Sequence, residues 1–192
     1  MARWEPDARG RMVSAALDLF AEKGYDKTTA GDIAARAGVT ERTFFRHFAD
    51  KREVLFANPS PLDEVVVKAI AAADEHATPL QMVLDGVRAA AVGLAEARTR
   101  EQAAQRSRIV ESTPALQERE LLKMAAMTTA AQAALAERGV GDPAAAVAAH
   151  TGVAVFQAAF SRWVSGATDL GLPECIDEAA AALRALAQVR RS

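Results

Sequence analysis

The stretch "TTAGDIAARAGVTERTFFRHFADK" (residues 28–51) contains two short runs of helix-forming residues separated by "AGV". Thr29 and Thr40 each precede one run and can cap it, because a threonine hydroxyl accepts a hydrogen bond from a free backbone N–H. Gly38 supplies the permissive backbone that a tight turn needs, and Val39 supplies an apolar plug. Two helices of this length and spacing predict a helix-turn-helix.

The second of these helices has two different faces. Phe44 and Phe48 are four residues apart and share one side of the helix, which suits a hydrophobic core. Phe45 points away from that side and lies beside Arg42 and Arg46. The pattern predicts a helix that is anchored by one face and presents the other to a polar partner.

The composition of this 192-residue chain predicts an all-helical protein. Apolar residues make up 51% of it, alanine is abundant, and strand-like alternation is nearly absent. Capping residues and breakers divide the chain into about nine helices, with Pro59 and Pro61 interrupting the fourth. We expect a three-helix head over residues 1–52 and a helical body over residues 53–192.

Several classes of protein are disfavoured by the sequence. The single cysteine, Cys175, excludes an internal disulfide framework, and the isolated His76 and His150 have no second ligand at metal spacing, so no metal or cofactor is expected. The N-terminus lacks the apolar block of a signal peptide. The apolar segment 144–160 carries His150 and Gln157, which favours a buried helix over a membrane span. We expect a cytoplasmic protein without membrane contact.

The charge is unevenly distributed. The chain has a net charge of −2, whereas residues 1–52 hold ten Lys and Arg against eight Asp and Glu, a net charge of +2. A nonspecific binder of polyanions would be far more basic. The asymmetry permits a small nucleic-acid-binding head on an acidic body.

Residues 8–57 resemble the TetR family of bacterial transcriptional regulators. The positions that carry the resemblance are Gly24-Tyr25, Thr29, Asp32-Ile33-Ala34, Ala37-Gly38-Val39, Thr43-Phe44, His47-Phe48 and Lys51. The remainder matches by helix count. The resemblance implies a homodimer with DNA-binding heads, a double-stranded DNA operator as partner, and a helical body that holds a pocket for a small-molecule effector.

The resemblance also implies which residues of the head meet DNA. The outer face of the third helix would enter the major groove, where base edges carry sequence information. Arg42 is the main candidate for a base contact, because its fork suits guanine. Thr43 could contact a thymine methyl or a phosphate. Glu41 could accept a hydrogen bond from cytosine, or its negative charge could simply interact favourably with the helix N-terminus. The positions that match phosphate contacts in the family are Thr29, Thr40, His47 and Lys51.

Phe45 departs from the family pattern, which usually has tyrosine at this position. The phenolic hydroxyl that would reach a phosphate is therefore missing, although the ring could pack against sugar or a thymine methyl. Arg46 could offset the lost anchor.

The helical body supplies two further sets of candidates. The predicted walls of the effector pocket are Met82, Val83, Val87, Arg106, Ile109, Met124, Met127 and Phe156. The resemblance places the last two long helices in a four-helix dimer bundle, with an interface formed by Phe160, Trp163, Val164, Ile176, Ala180, Leu183 and Leu186. The aromatic stripe that includes Phe156 and Phe160 is expected to be core or dimer interface, and a pocket wall is the less favoured alternative.

Together these features predict a homodimeric, sequence-specific transcriptional regulator. The favoured form is a repressor that a small-molecule ligand releases from a near-palindromic operator. A helical protein-interaction module and a ligand-independent regulator are the alternatives. A small helical enzyme lacks support, because the sequence shows no phosphate loop, metal-ligand cluster or nucleophile–base pair. The effector, the operator and the choice between repression and activation are left open.

Overall fold

The computed structural model describes residues 7–56 and 61–187, and every regular element within them is an α-helix. This confirms the predicted all-helical class. The described part of the chain holds ten helices rather than about nine, because the region of the predicted fourth helix contains one helix that ends at Phe56 and another that begins at Leu62. Pro59 lies outside the described residues. The helices are α1 (Ala8–Lys23), α2 (Ala30–Arg36), α3 (Glu41–His47), α4 (Glu53–Phe56), α5 (Leu62–Ala72), α6 (Pro79–Ala97), α7 (Arg100–Glu111), α8 (Pro114–Glu137), α9 (Ala144–Val164) and α10 (Leu172–Ala187).

The described residues form two compact units. The first contains residues 7–56 and 102–118, and the second contains residues 61–101 and 119–187. The first unit is larger than the predicted head, because α4 and most of α7 belong to it. The functional boundary at residue 52 stays a prediction.

The first unit is organised around one hydrophobic core. Phe44 and Phe48 lie in it with their ring centroids 5.3 Å apart, and Ile33 of α2 joins them. This is the burial that the four-residue spacing predicts. Further members of the core, from α1, α7 and α8, are Met12, Leu17, Leu19, Phe20, Ile109, Val110 and Leu116. The core therefore fixes the orientation of α3.

Local hydrogen bonds set the ends of α2 and α3. Thr29 Oγ1 accepts from the Asp32 backbone N–H (3.0 Å), and the Asp32 carboxylate accepts from the Thr29 N–H (2.8 Å), forming a reciprocal capping box. Thr40 Oγ1 accepts from the Thr43 N–H (3.2 Å). Gly38 adopts a φ of 70°, a left-handed conformation that favours glycine. These contacts confirm the predicted caps and turn.

Close helix packing defines the second unit. A Cβ on Gly152 of α9 would collide with the Cγ1 methyl of Val83 on α6. A Cβ on Gly86 would lie within 3.2 Å of the Val66 backbone on α5. Glycines at both crossings therefore allow α6 to approach its neighbours closely.

Helix α9 is long and apolar enough to cross a membrane by length and composition. In the structure 44% of its most apolar window is buried within the chain. The core helix of a soluble protein meets the same criterion, and α9 packs against α6 and α10.

Candidate nucleic-acid interface

Helix α3 has the two faces that its sequence predicts. Phe44 is fully buried, whereas Phe45 keeps 51% of its surface exposed. Their ring centroids are 5.4 Å apart and the rings are nearly perpendicular, so the buried phenylalanine supports the exposed one. The remaining exposed side chains of the helix are Glu41, Arg42, Arg46 and His47, and Thr43 is half-buried. We refer to these residues with Phe45 as the outer face of α3.

The arginines of the outer face are not neutralised within the described part of the chain. Arg42 and Arg46 form no salt bridge or hydrogen bond with any described residue. By contrast, Arg36 on α2 forms a bidentate pair with Glu22 at 2.8 and 3.0 Å. The outer face therefore presents two guanidinium groups that are available to an anionic or hydrogen-bond-accepting partner.

The predicted phosphate-contacting threonines already serve as caps. The Thr29 hydroxyl oxygen accepts within the capping box, and the Thr40 hydroxyl lies 3.0 Å from that of Thr43. A hydroxyl that accepts one hydrogen bond can still donate its own proton to an oxygen. Their phosphate contacts stay predictions.

Lys51 has an internal role that the sequence does not reveal. Its Nζ donates to the carbonyl oxygens of Tyr25 (2.8 Å) and Thr28 (3.1 Å). Since an ammonium group has three N–H donors, these bonds leave one for an external acceptor. Lys51 thereby ties the chain after α3 to the turn between α1 and α2.

The acidic groups near α2 are held in their ionised forms. The backbone N–H and hydroxyl of Thr29, followed by Lys23, lower the pKa of Asp32 to about 2. The Asp32 carboxylate lies 3.1 Å from the Lys23 ammonium. The Arg36 guanidinium likewise lowers the pKa of Glu22. These contacts stabilise the junction of α1 and α2, which supports the outer face of α3.

Two protein-family models match this chain. A family described as "Bacterial regulatory proteins, tetR family" matches residues 12–57, which include the helix-turn-helix. A second, described as the MftR C-terminal domain, matches residues 81–188, more than half of the chain.

The chain belongs to the TetR family. The relative TcmR, an HTH-type transcriptional regulator of Streptomyces glaucescens, is 40% identical over 81 residues, which are 42% of this chain and 36% of TcmR. The chain thus matches only about a third of that relative's length. Relatives of this kind are transcriptional regulators.

Solved structures of two repressors share the fold at low sequence identity. NalD of Pseudomonas aeruginosa, the secondary repressor of the MexAB-OprM multidrug efflux pump, is 20% identical with a TM-score of 0.60, covering 97% of this chain and 98% of NalD. FadR of Thermus thermophilus, a TetR-family repressor in complex with lauroyl-CoA, is 22% identical with a TM-score of 0.54, covering 96% of this chain and 97% of FadR. These similarities show the fold.

The residues predicted to line an effector pocket do not all belong to one unit. Six of them are buried in the second unit: Met82, Val83, Val87, Met124, Met127 and Phe156. Arg106 and Ile109 belong instead to the first unit. The pocket itself stays a prediction.

Arg106 is a structural residue of the first unit. Its side chain is 5% exposed, its Nε donates to the carbonyl oxygen of Leu55 (2.8 Å), and its guanidinium lies 5.0 Å from the centroid of the Phe56 ring. Ile109 packs into the core of the same unit. Helical spacing gave no sign that Arg106 would bind the end of α4, because that contact joins residues 51 positions apart.

An open cleft of about 490 Å³ lies in the second unit between the end of α8 and the start of α9. It is lined by Thr129, Gln132, Ala133, Ala136, Val140, Gly141, Asp142 and Ala145, so none of the predicted pocket residues contributes to it. Most of these side chains are small, and the cleft is open to solvent.

The predicted dimer residues divide by burial. Trp163, Ile176 and Ala180 are already covered within the second unit. Phe160, Val164 and Leu183 are half-buried, and Leu186 is 84% exposed. Only the second group offers side-chain surface to a partner, so the first group is better explained as core.

No group of three His, Cys, Asp or Glu residues in the described ranges is arranged to hold a metal ion. Cys175 is buried, and burial raises the pKa of its thiol.

Proposed function

We propose that this protein is a homodimeric, cytoplasmic, sequence-specific repressor that a small-molecule effector releases from a near-palindromic operator. The observation that carries the proposal is the outer face of α3. Arg42 and Arg46 are exposed there without a partner in the described chain, on a helix whose opposite side is anchored in the core. In a helix-turn-helix protein this face enters the major groove.

Within the proposed complex the residues of the head have separate roles. Arg42 donates two hydrogen bonds from its guanidinium group to a guanine, and Thr43 contacts a base methyl or a phosphate. Thr29, Thr40, His47 and the remaining N–H of Lys51 contact phosphates. Phosphate contacts set the position of the head on the duplex, whereas base contacts specify the sequence.

Dimerisation is proposed to use the exposed sides of α9 and α10. Val147, Ala154, Ala158 and Ser161 are exposed on α9 at spacings of seven, four and three residues, which lie near one side of a helix. Small side chains there allow two helices to approach closely. Of the predicted interface residues, Phe160, Val164 and Leu183 are half-buried and Leu186 is exposed, so these four keep side-chain surface for a partner.

The effector is proposed to act by selecting one dimer conformation. It must bind more tightly to the state whose two heads have the wrong separation for DNA. A shift from about 1:99 to 99:1 requires about 5.5 kcal/mol of differential binding. Met82, Met124 and Met127 are buried in the second unit, and methionine adapts to varied apolar shapes. We therefore propose an effector with an apolar part, a class that includes the lauroyl-CoA bound by Thermus FadR.

Two experiments test the proposal. The purified protein is used to select genomic DNA fragments, and sedimentation measures the mass of the protein in solution. We expect a dimer that recovers a few fragments sharing an inverted repeat, with half-site centres about one helical turn apart. Arg42→Ala should fail to enrich these fragments. Arg108→Ala, which removes an exposed charge from α7, is the matched control and should enrich them. Recovery without any shared sequence would contradict the proposed function.

A further inference from the structure

The open cleft between the end of α8 and the start of α9 has one wall that internal hydrogen bonds hold in place. In the turn that forms this wall, the backbone N–H of Val140 donates to the carbonyl oxygen of Leu135 (3.1 Å), and the N–H of Ala145 donates to that of Gly141 (3.2 Å). The cleft volume of about 490 Å³ lies within the range of small-molecule sites. A preformed wall also avoids the ordering cost that a mobile segment adds to binding.

The cleft contains a carboxylate that no cation of the described chain neutralises. Asp142, an exposed lining residue, forms no salt bridge within residues 7–56 and 61–187, and its Oδ1 accepts only from Gln132 Nε2, at 3.4 Å. The guanidinium group of Arg138, four residues away, instead donates to the carbonyl oxygens of Ala71 (3.0 Å) and Asp74 (3.2 Å). Since a carboxylate can accept about four hydrogen bonds, Asp142 can accept more from a bound molecule.

The other groups of the cleft are apolar or neutral. The hydroxyl of Thr129 and the side-chain carbonyl oxygen of Gln132 are further hydrogen-bond acceptors. Apolar side chains cover most of the remaining surface: Ala133, Ala136, Val140 and Ala145. A negative charge, two neutral acceptors and a small apolar surface together match a molecule that has a cationic donor group and a short apolar body.

We propose that this cleft is a binding site for a primary alkylamine in its ammonium form. The Asp142 carboxylate accepts a hydrogen bond from the ammonium group, and the alanine and valine side chains cover the alkyl chain. The site is separate from the predicted effector pocket, because none of the residues predicted for that pocket lines the cleft. The inference therefore does not depend on the proposed function.

The cleft lies on a different side of α9 from the surface proposed for dimerisation. Val147, Ala154 and Ala158 are exposed on that surface, whereas Ala145 lines the cleft. With 3.6 residues per turn, the three exposed residues lie about half a turn around α9 from Ala145. The amine site therefore stays accessible in a dimer that uses the exposed surface of α9.

The test is an NMR titration of the ¹⁵N-labelled full chain with n-hexylammonium, 1-hexanol and hexanoate, which share an alkyl chain and differ in charge. We expect saturable shifts of the Gly141 backbone amide and the Gln132 side-chain amide. Hexylammonium should bind about three- to fivefold more tightly than hexanol, as an exposed ion pair allows, and hexanoate should bind more weakly than hexanol. Asp142→Asn should bind hexylammonium no more tightly than hexanol. Asp169→Asn, which removes an exposed carboxylate from the α9–α10 turn, is the matched control and should keep the preference.

A second pair of variants tests the location of the site. Ala136→Phe fills the cleft and should abolish the shifts with all three compounds, whereas Ala125→Phe, at an exposed position of α8 outside the cleft, should leave them unchanged. The spectrum of each variant shows whether it is folded. In the wild type, equal affinities for hexylammonium and hexanol, or no saturable shift at Gly141, would overturn the proposal without any variant. An ammonium preference that persists in Asp142→Asn or in folded Ala136→Phe would also overturn it.

Discussion

The ammonium group of Lys51 lies 2.8 Å from the carbonyl oxygen of Tyr25 and 4.2 Å from the centroid of the same residue's ring. A hydrogen bond and a cation–π contact thus join the chain after α3 to the α1–α2 turn. The residue that the family resemblance assigns to a phosphate also holds the head together. Changes at Lys51 should therefore affect both stability and DNA binding.

Lys51→Met is expected to lower the free energy of unfolding by about 1–3 kcal/mol, because the carbonyls of Tyr25 and Thr28 lose a charged donor. Urea denaturation measures this change. Lys27→Met is the matched control, since the Lys27 side chain is exposed and forms no hydrogen bond or salt bridge with a described residue. Equal stabilities of the two variants would show that the internal bonds of Lys51 do not stabilise the head.

Gly152→Ala should destabilise the second unit by about 1–3 kcal/mol, because the added methyl would overlap Val83 on α6. Gly93→Ala is the contrasting substitution. A Cβ at Gly93 meets nothing within 4 Å, so alanine there should stabilise α6 by about 0.5–1 kcal/mol. Urea denaturation of both variants checks the prediction; a destabilising effect of similar size at Gly93 would contradict it.

The contribution of Asp32 should depend on pH. Its folded-state pKa of about 2 lies below the ordinary value of 3.8, so the unfolded chain binds a proton first as the pH falls. The stabilisation is complete above about pH 5 and is lost between about pH 4 and pH 2. Asp32→Asn should reduce stability at pH 7, and its difference from wild type should shrink toward pH 2. Thermal unfolding across this range measures that difference in stability. A difference that does not change with pH would contradict the prediction.

Ala158→Glu should convert the proposed dimer to monomer, because it places a charge in the centre of the exposed α9 surface. Sedimentation measures the mass. Binding to a full operator with two half-sites should weaken as dimerisation is lost. Ala126→Glu introduces the same charge on an exposed position of α8 and should leave the mass unchanged. A dimeric Ala158→Glu protein would place the interface elsewhere.

Local features of the head could be predicted from sequence because their causes are local. The capping of Thr29 and Thr40 and the left-handed Gly38 depend on residues within a few positions. The burial of Phe44 and Phe48 follows from helical periodicity. The family resemblance, by contrast, supplied the expected DNA-binding roles.

Longer-range contacts account for what the sequence did not predict. Periodicity indicates that a helix face is buried, but it does not identify the elements that cover it. Trp163 and Ile176 were expected at a dimer interface, yet they are covered within the second unit. Arg106 was expected in a pocket, yet its Nε donates a hydrogen bond to the carbonyl oxygen of Leu55. Arg106 and Leu55 are 51 positions apart in sequence, so local periodicity could not reveal their contact.

The central claim is that the outer face of α3 reads a specific DNA sequence. It is tested most directly by equilibrium binding of the wild type and Arg42→Ala to the selected operator, across a salt series with excess competitor DNA. The account predicts saturable wild-type binding that survives competitor DNA, and a loss of operator affinity in Arg42→Ala that exceeds its loss of nonspecific affinity by about tenfold or more. Wild-type binding that is indifferent to sequence and steeply salt-dependent, or an Arg42→Ala protein that binds the operator as tightly as wild type, would contradict it.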